Sequence, residues 1–511
     1  MSQRADQAIR DIVKGAGVVY LGLFLELVIA FVAQILAARY LSVSDFGGLT
    51  AGTALLDIGS IVGALGLASG LTRYFPRIGE SEKRPLAGAA VVITLVTATV
   101  MGLAVVLNAS FIATNVFGSP EVAVSVRVFG GAIPFAALLN VAVGGIRGQE
   151  RSLYRVYVKN ILHPIARFAL VIAAVVYGLG QAGLASAYAA PYAMSAVVAL
   201  LLLHRTLPRS RASFDTALFS RVTRYSLPFT ITGVSNFVYR SIDIFLILYF
   251  VGSFATGIYG VAYAAVKFMG MFSTAFNYLG SPIASKLESA DGVDEAMRMF
   301  RSVARWLVIA SVCALVPLAV FSTEFITLIY ESRYASGGPV LTILAVGFAV
   351  KNVLSIHGPI LQALGRSKLL SFNSAAAAVA NLLLNVMLIP RFGIAGAAIA
   401  TVLSFLLRDG LAVLEVRHDL EVIPLTWRAF QPVVLAVPLF GLLITVVVPM
   451  VPTTIFWLLA VSGLFGVVYV SLTVVLFGIS DTEVMLIRSI EEKYGRDFPP
   501  LDTVIDHFAR E

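Results

Sequence analysis

Charged side chains are scarce in this chain. Asp, Glu, Lys and Arg make up 13% of its 511 residues, whereas hydrophobic residues make up 59%. Soluble globular proteins carry about 25% charged residues. A chain with so little charge cannot cover a soluble surface, so the composition excludes a large soluble enzyme and predicts a membrane protein.

Cysteine is almost absent, since Cys313 is the single example. One cysteine excludes an intramolecular disulfide and a cysteine-based metal cluster. A cleavable signal peptide is not predicted either, because the first apolar run is too long and lacks a small-residue cleavage site. The GxxxxGK[ST] phosphate-binding motif is also missing, so the sequence gives no sign of an ATPase domain of its own.

Long apolar runs are abundant. Each is roughly 20 residues long, enough to cross a hydrocarbon core of ~30 Å as a helix. They predict an all-α polytopic protein with about fourteen spans, at 16–37, 46–71, 86–107, 122–146, 158–179, 183–203, 225–251, 255–280, 303–329, 338–364, 369–389, 393–413, 432–451 and 454–478.

Basic residues are concentrated in every second loop between these runs. Lys and Arg are enriched in cytoplasmic loops, so this alternation predicts a multi-pass protein of the cell membrane with both termini in the cytoplasm. The formal net charge of +8 then reflects topology and not a nucleic-acid partner. The outside loops are short and nearly free of Asp and Glu, which argues against an external catalytic domain.

The first two apolar runs each contain a carboxylate near the middle, Glu26 and Asp57. A charge at the centre of a bilayer costs at least ~2.5 kcal/mol, even on the scale that gives the lowest values. We therefore expect both side chains to face a bundle interior or a wet cavity.

The same hairpin returns about 210 residues later, with Gly47 aligned to Gly257. Its second copy also carries charge within the membrane: Arg240, Asp243 and Lys267. Two apolar hairpins with internal charge, at corresponding places in the two halves, are typical of a transporter that is made of repeats around a polar cavity.

Several sequence blocks occur in the order found in a known family. They are Phe46-Gly47, Arg73-Tyr74-Phe75-Pro76, Leu364-Gly365-Arg366-Ser367-Lys368, Asn381-Leu382-Leu383-Leu384-Asn385, and the stretch from Leu388 to Ala398 with its Gly393-x-x-Gly396 pair. Over about residues 10–415 the chain resembles the polysaccharide-biosynthesis, or oligosaccharide-flippase, branch of the multidrug/oligosaccharidyl-lipid/polysaccharide exporter superfamily.

The resemblance implies two six-helix bundles in a V, with helices one, two, seven and eight lining a central cavity. A lipid-linked glycan would cross the membrane there by alternating access. On this basis we expect an N-terminal bundle in 1–203, a cytoplasmic linker in 204–224, a second bundle in 225–413, two additional spans in 414–478 and a cytoplasmic tail in 479–511.

Cations on these helices are the candidate substrate ligands, because such a cargo has an anionic phosphate or pyrophosphate head. A cation in a low-dielectric cavity attracts phosphate more strongly than it does in water. Arg240 and Lys267 are the first candidates. Arg73 and Lys286, at the cytoplasmic ends of spans two and eight, would receive the head from the inner leaflet, and Lys351 is a further candidate.

The three carboxylates Glu26, Asp57 and Asp243 have two alternative roles. They either pair with cations of the empty cavity, or carry a proton or sodium ion that drives the cycle. Arg240 and Asp243 are three residues apart and could also bridge each other on one helix. The sequence does not separate these alternatives.

The sequence thus predicts a flippase and not an enzyme, without cofactor or metal, that moves a polyprenyl- or dolichyl-(pyro)phosphate-linked oligosaccharide outward for cell-surface polysaccharide or glycoprotein glycan synthesis. It would act as a monomer beside the glycosyltransferases, oligosaccharyltransferase or polymerase of its pathway. A cation-coupled multidrug exporter of the same superfamily is the main alternative, and a membrane glycosyltransferase or ligase is a weaker one.

Overall fold

The computed structural model describes residues 3–208, 215–274, 292–421, 425–450 and 452–479. Its longer helices are α1 (Gln3–Tyr40), α2 (Val43–Gly63), α3 (Leu67–Tyr74), α4 (Glu80–Leu107), α5 (Ala123–Gly148), α6 (His163–Val176), α7 (Gly180–Thr206), α8 (Thr216–Phe250), α9 (Ser253–Val266), α10 (Gly292–Val320), α11 (Ser322–Tyr330), α12 (Gly338–Leu354), α13 (His357–Ala363), α14 (Ser367–Leu420), α15 (Trp427–Leu442) and α16 (Ile455–Phe477). Short π-helical turns lie at Ile112–Val116, Val156–Leu162 and Leu443–Val447.

The predicted all-α polytopic fold is confirmed, while the count of fourteen spans is approximate. Within the described ranges, 12 helices are long and apolar enough to cross a membrane. One of them, α14, has 54 residues. At about 1.5 Å per residue a straight helix of that length would extend far beyond a ~30 Å core, so α14 accounts for two predicted spans.

The division of α14 occurs at Gly393, whose backbone is non-helical at φ 56° and ψ −137°. Only glycine adopts this region readily. A Cβ atom on Gly396 would lie 2.3 Å from the carbonyl oxygen of Leu388. The chain therefore reverses at one glycine and packs closely at the other, as the Gly393-x-x-Gly396 pair predicts.

Helix α10 begins within the predicted link between the spans at 255–280 and 303–329. The helical spacing of Met297, Phe300 and Val303 predicts a surface helix, but the structure continues the helix unbroken to Val320. The three side chains are buried against Ile360 and other residues. An amphipathic pattern fits a packed helix as well as a membrane-surface helix, and here packing accounts for it.

The described residues form two compact units. Unit 1 is Met1–Val261 with Leu382–Ala397, and unit 2 is Ala262–Asn381 with Ala398–Glu511. Unit 1 thus includes α8 as well as the first six predicted spans. The predicted division into six-helix bundles at 203 and 225 stays a prediction, and the predicted cytoplasmic tail lies, from residue 480 onward, outside the described residues.

The two glycines aligned by the sequence repeat meet inside unit 1. A Cβ atom on Gly47 of α2 would lie 1.9 Å from the carbonyl oxygen of Ser253 in α9. A Cβ atom on Gly257 of α9 would lie 2.2 Å from the carbonyl oxygen of Val43. Each glycine thus removes the side chain that would keep the other backbone away, and the two helices cross in direct contact.

Replacing Gly47 by Ala should therefore destabilise the protein, although alanine is normally the better helix former. Overpacking of this kind costs about 1–3 kcal/mol, which should appear as a lower midpoint of thermal unfolding in detergent. Gly410→Ala is the matched control, because a Cβ there meets nothing within 4 Å. Equal unfolding midpoints for the two variants would contradict the close crossing.

Candidate functional site

Unit 1 contains a cavity of about 500 Å³. Four parts of the chain line it: α3, α5, the segment that leads into α6, and α8. The lining residues are Ala68, Ser69, Thr72, Arg73, Asn140, Val143, Gly144, Arg147, Arg155, Lys159, Tyr225 and Phe229. Its size is within the range of about 300–1,000 Å³ that is usual for small-ligand sites.

The charge of this lining has one sign. Arg73, Arg147, Arg155 and Lys159 are cationic, and the described lining contains no Asp or Glu. Like charges that share a concave surface with low-dielectric walls produce a strong local potential and concentrate counter-ions. The cavity is therefore a place where an anion would be stabilised.

Small residues bring the cationic side chains of α3 and α5 to the same cavity. A Cβ atom on Gly144 would lie 2.4 Å from the carbonyl oxygen of Ala68, and one on Gly148 would lie 2.6 Å from that of Leu71. Thr72 Oγ1 donates a hydrogen bond of 2.9 Å to the carbonyl oxygen of Gly144. These close contacts between α3 and α5 set the relative position of Arg73 and Arg147.

A π-helical turn carries the next cation. Val156–Leu162 forms this turn just before Pro164, and it contains the neighbours Lys159 and Asn160. Lys159 is exposed and lines the cavity, whereas Asn160 is buried. Asn160 Nδ2 donates a hydrogen bond to Glu26 Oε2 on α1. Glu26 also interacts electrostatically with Lys159, Arg167 and Arg155, so the carboxylate lies behind the cationic wall.

Arg73 is held by an aromatic side chain of α8. Its Nη1 donates a hydrogen bond of 3.0 Å to Tyr225 Oη. The guanidinium carbon lies 4.5 Å from the centroid of the same ring. Such cation–π contacts hold a cation in place without neutralising its charge.

A buried polar cluster lies between α6 and α7, and its Arg167 interacts electrostatically with Glu26. Arg167 Nη2 lies 2.8 Å from His163 Nε2, and Ser195 Oγ lies 3.4 Å from His163 Nδ1. Arg167 also lies over the rings of Tyr188 and Tyr192, at 5.1 and 6.0 Å. Arg167 is a donor, so the 2.8 Å contact requires an unprotonated Nε2 on His163. The contacts from Arg167 and Ser195 therefore order the ring of His163.

Unit 2 holds two of the predicted cations among aromatic rings. Lys351 Nζ lies 5.0 Å from the ring centroid of Phe348 and 4.3 Å from that of Phe405. Lys267 Nζ lies 5.5 Å from the centroid of Tyr263, whose ring is 6.0 Å from that of Phe348. Both lysines thus belong to one cation–aromatic cluster.

Comparison with known proteins identifies the family of this chain. A family model described as polysaccharide biosynthesis protein matches residues 12–288, more than half of the sequence. The chain belongs to the polysaccharide biosynthesis protein family. The family predicted from the sequence blocks is thereby confirmed.

Two similar proteins come from Haloferax volcanii. The chain is 29% identical over 181 residues to the probable low-salt glycan biosynthesis flippase Agl15, a match that covers 35% of this chain and 38% of that protein. It is 26% identical over 307 residues to the probable flippase AglR, with 58% and 62% covered. The chain thus spans less than two thirds of the length of either relative.

A solved structure shares the fold. The lipid II flippase MurJ in an inward closed conformation superposes with a TM-score of 0.71 at 13% sequence identity, over 90% of this chain and 98% of that one. At this identity the similarity shows that the fold is common to both.

The predicted site residues have different positions in the structure. Arg73 lines the cavity, whereas Arg240 and Lys267 are exposed outside its described lining. Asp57 is exposed on α2, and Asp243 is buried and accepts a hydrogen bond from Tyr259 Oη. Lys286 lies outside the described residues. The functional roles given to these residues stay predictions.

Three cavity residues were not among the predicted ligands: Arg147, Arg155 and Lys159. The positive-inside rule alone explains why basic residues are concentrated in this region of the sequence. The four-residue spacing of Arg155 and Lys159 was the available signal, because it places both on one face of a helix. Arg147 lies near Arg73, which is distant in sequence, because Gly144 and Gly148 let α5 pack closely against α3. The sequence pattern does not reveal this contact.

Glu26→Gln should strengthen anion binding in the cavity. The substitution keeps the shape and an acceptor for Asn160 but removes the negative charge that interacts with Lys159 and Arg155. A change of about 1 kcal/mol, or roughly fivefold, is expected for a pair at moderate effective dielectric. Binding of inorganic pyrophosphate to the purified protein, followed by calorimetry, measures it.

Glu421→Gln is the control for this experiment, because it removes the same charge at an exposed position of unit 2. It should leave pyrophosphate affinity unchanged. Weaker binding in Glu26→Gln would show that the carboxylate does not oppose the anion and would contradict the electrostatic account.

Proposed function

We propose that the protein is a flippase that moves a lipid-linked oligosaccharide, with a polyprenyl- or dolichyl-(pyro)phosphate carrier, from the cytoplasmic leaflet to the outer leaflet. The observation that carries the proposal is the cavity with four cationic residues and no carboxylate in its described lining. It occurs in a membrane-spanning member of the polysaccharide biosynthesis protein family.

The chemistry of such a substrate matches the cavity. A phosphate group that entered hydrocarbon alone would pay a large desolvation cost. Each hydrogen bond from an arginine or lysine to a charged oxygen contributes about 1.5–3 kcal/mol towards offsetting that cost. The apolar tail can stay in the bilayer, so the protein has to solvate only the headgroup and the glycan.

The orientation of the cavity follows from the distribution of basic residues. Arg73 and Arg147 lie in the last turns of α3 and α5, and Arg155 follows α5, at an end of the helices that the positive-inside rule assigns to the cytoplasm. In the proposed topology both termini are cytoplasmic and the cavity takes its ligand from the inner leaflet of the cell membrane. Lys286 would receive the headgroup together with Arg73, and Arg240, Lys267 and Lys351 would then act at later stages of the transfer.

Two similar proteins support the proposed flippase function. Agl15 and AglR are named as probable flippases, the former in low-salt glycan biosynthesis. The proposed product would serve cell-surface polysaccharide or glycoprotein glycan assembly, with glycosyltransferases and an oligosaccharyltransferase or polymerase as pathway partners. Coupling to H⁺ or Na⁺ through Glu26, Asp57 or Asp243 is part of the proposal.

The sign of the cavity charge disfavours the main alternative. A multidrug exporter that binds hydrophobic cations would need an acidic or aromatic site, whereas Arg73, Arg147, Arg155 and Lys159 would repel such a ligand. A membrane glycosyltransferase would need acidic groups to bind a metal and activate an acceptor. Among the described residues, no three His, Cys, Asp or Glu side chains are placed to hold a metal ion.

Removing two cavity cations together should slow transport strongly. In a strain without the protein, one lipid-linked oligosaccharide should accumulate on the cytoplasmic leaflet, where mass spectrometry identifies it. The wild type should clear it, and the Arg155→Gln, Lys159→Gln double variant should be slower by about 100-fold, the loss expected for two contacts of 1.5 kcal/mol.

Arg151→Gln is the matched control, since Arg151 is exposed in the same segment but does not line the cavity. It should clear the oligosaccharide at the wild-type rate. Full clearance by the double variant would refute the role of the cavity, and a strain that accumulates no lipid-linked glycan would refute the proposed function.

A further inference from the structure

One wall of the cavity is aromatic. Helix α8 contributes Tyr225 and Phe229, whereas the described lining from α3, α5 and the segment before α6 contains no aromatic residue. The ring centroids of Tyr225 and Phe229 lie 5.1 Å apart, and the ring of Tyr74 is edge-on to Tyr225 at 5.6 Å. The two lining rings therefore form one continuous apolar face beside four cations.

This aromatic face is fixed in position by close backbone packing. A Cβ atom on Gly66 would lie 2.1 Å from the carbonyl oxygen of Ser226, and one on Gly70 would lie 2.2 Å from Ser226 Oγ. Gly66 has φ +67°, a conformation that favours glycine. Since Ser226 directly follows Tyr225, these contacts set the distance of the aromatic face from α3.

The two rings differ in what already covers them. Arg73 lies over the ring of Tyr225 and is hydrogen-bonded to its hydroxyl group. Phe229 is 39% exposed although it lines the cavity. An aromatic surface left open to a polar cavity is unfavourable by about 25 cal/mol per Å² of apolar area, which a ligand with an apolar face would recover.

A bare phosphate has no such face, but a sugar ring does. The C–H groups of a pyranose carry slight positive charge and pack on the negatively charged face of an aromatic ring. A cavity of about 500 Å³ holds a ligand of small-molecule size and not a long oligosaccharide. The part of the substrate that carries both a phosphate and a sugar, within this size, is the carrier-proximal sugar phosphate.

We propose that Phe229, with Tyr225 beside it, binds the sugar directly attached to the phosphate, and that this contact makes the cavity selective for a glycosylated carrier over the bare lipid phosphate. The choice of ligand rests on the proposed function. Arg147, Arg155 and Lys159 bind the phosphate in either case, so the cations supply affinity and the aromatic face supplies the discrimination.

The test compares two soluble probes, glucose 1-phosphate and inorganic phosphate, on the full-length protein purified in detergent. The wild type should bind the sugar phosphate about tenfold more tightly, the lower end of what one apolar contact contributes to discrimination. Phe229→Leu keeps an apolar side chain but loses the flat ring, so its affinity for glucose 1-phosphate should fall to the level of inorganic phosphate. Its affinity for inorganic phosphate should not change.

Phe372→Leu is the control, because Phe372 is 67% exposed on α14 in unit 2 and should affect neither probe. Equal wild-type affinity for the two probes, or an equal loss of both in Phe229→Leu, would overturn the proposal. A failure of the deletion-strain experiment would remove the flippase assignment but would leave the difference between the probes intact, so the two failures are distinguishable.

Discussion

The cavity of unit 1 depends on one electrostatic constraint: four cations share a small space within a chain that is otherwise poor in charge. Their mutual repulsion is unfavourable unless water or an anion occupies the space between them. Glu26 offsets part of this repulsion from behind the wall, where it is held by Asn160. An anionic headgroup would offset it from within the cavity, so the same repulsion that disfavours the empty state favours the loaded one.

Glycines allow the close helix contacts that hold these cations near one another. Gly144 and Gly148 remove the side-chain layer between α5 and α3, and Gly66 and Gly70 remove it between α3 and α8. Backbones in direct contact leave little freedom for the side chains beside them, which keeps Arg73, Arg147 and Tyr225 at fixed relative positions. At Gly47 and Gly257 the same device joins α2 and α9. Small residues thus determine the position of cations that they do not themselves touch.

Much of the fold could be predicted from the sequence, because apolar length and loop charge are local properties of the chain. The family was also predictable from short blocks such as Gly393-x-x-Gly396, where the reversal needs a backbone that only glycine adopts easily. The cavity was only partly predictable. The position of Arg73 at a helix end predicts a ligand, but the positive-inside rule alone accounts for the presence of Arg147, Arg155 and Lys159 in the sequence. Their function as a group depends on contacts between distant segments and on a π-helical turn, neither of which follows from periodicity.

The electrical potential of the cavity can be measured directly with charged thiol reagents. In a Cys313→Ala background, Ser69→Cys places a single thiol in the lining, and its rates of reaction with an anionic and a cationic water-soluble thiosulfonate can be compared with those of free cysteine. A cationic cavity should favour the anionic reagent by at least about tenfold over the ratio for free cysteine, as is typical of electrostatic focusing. A thiol that reacts with neither reagent, or one that favours the cationic reagent, would contradict a water-accessible cationic cavity.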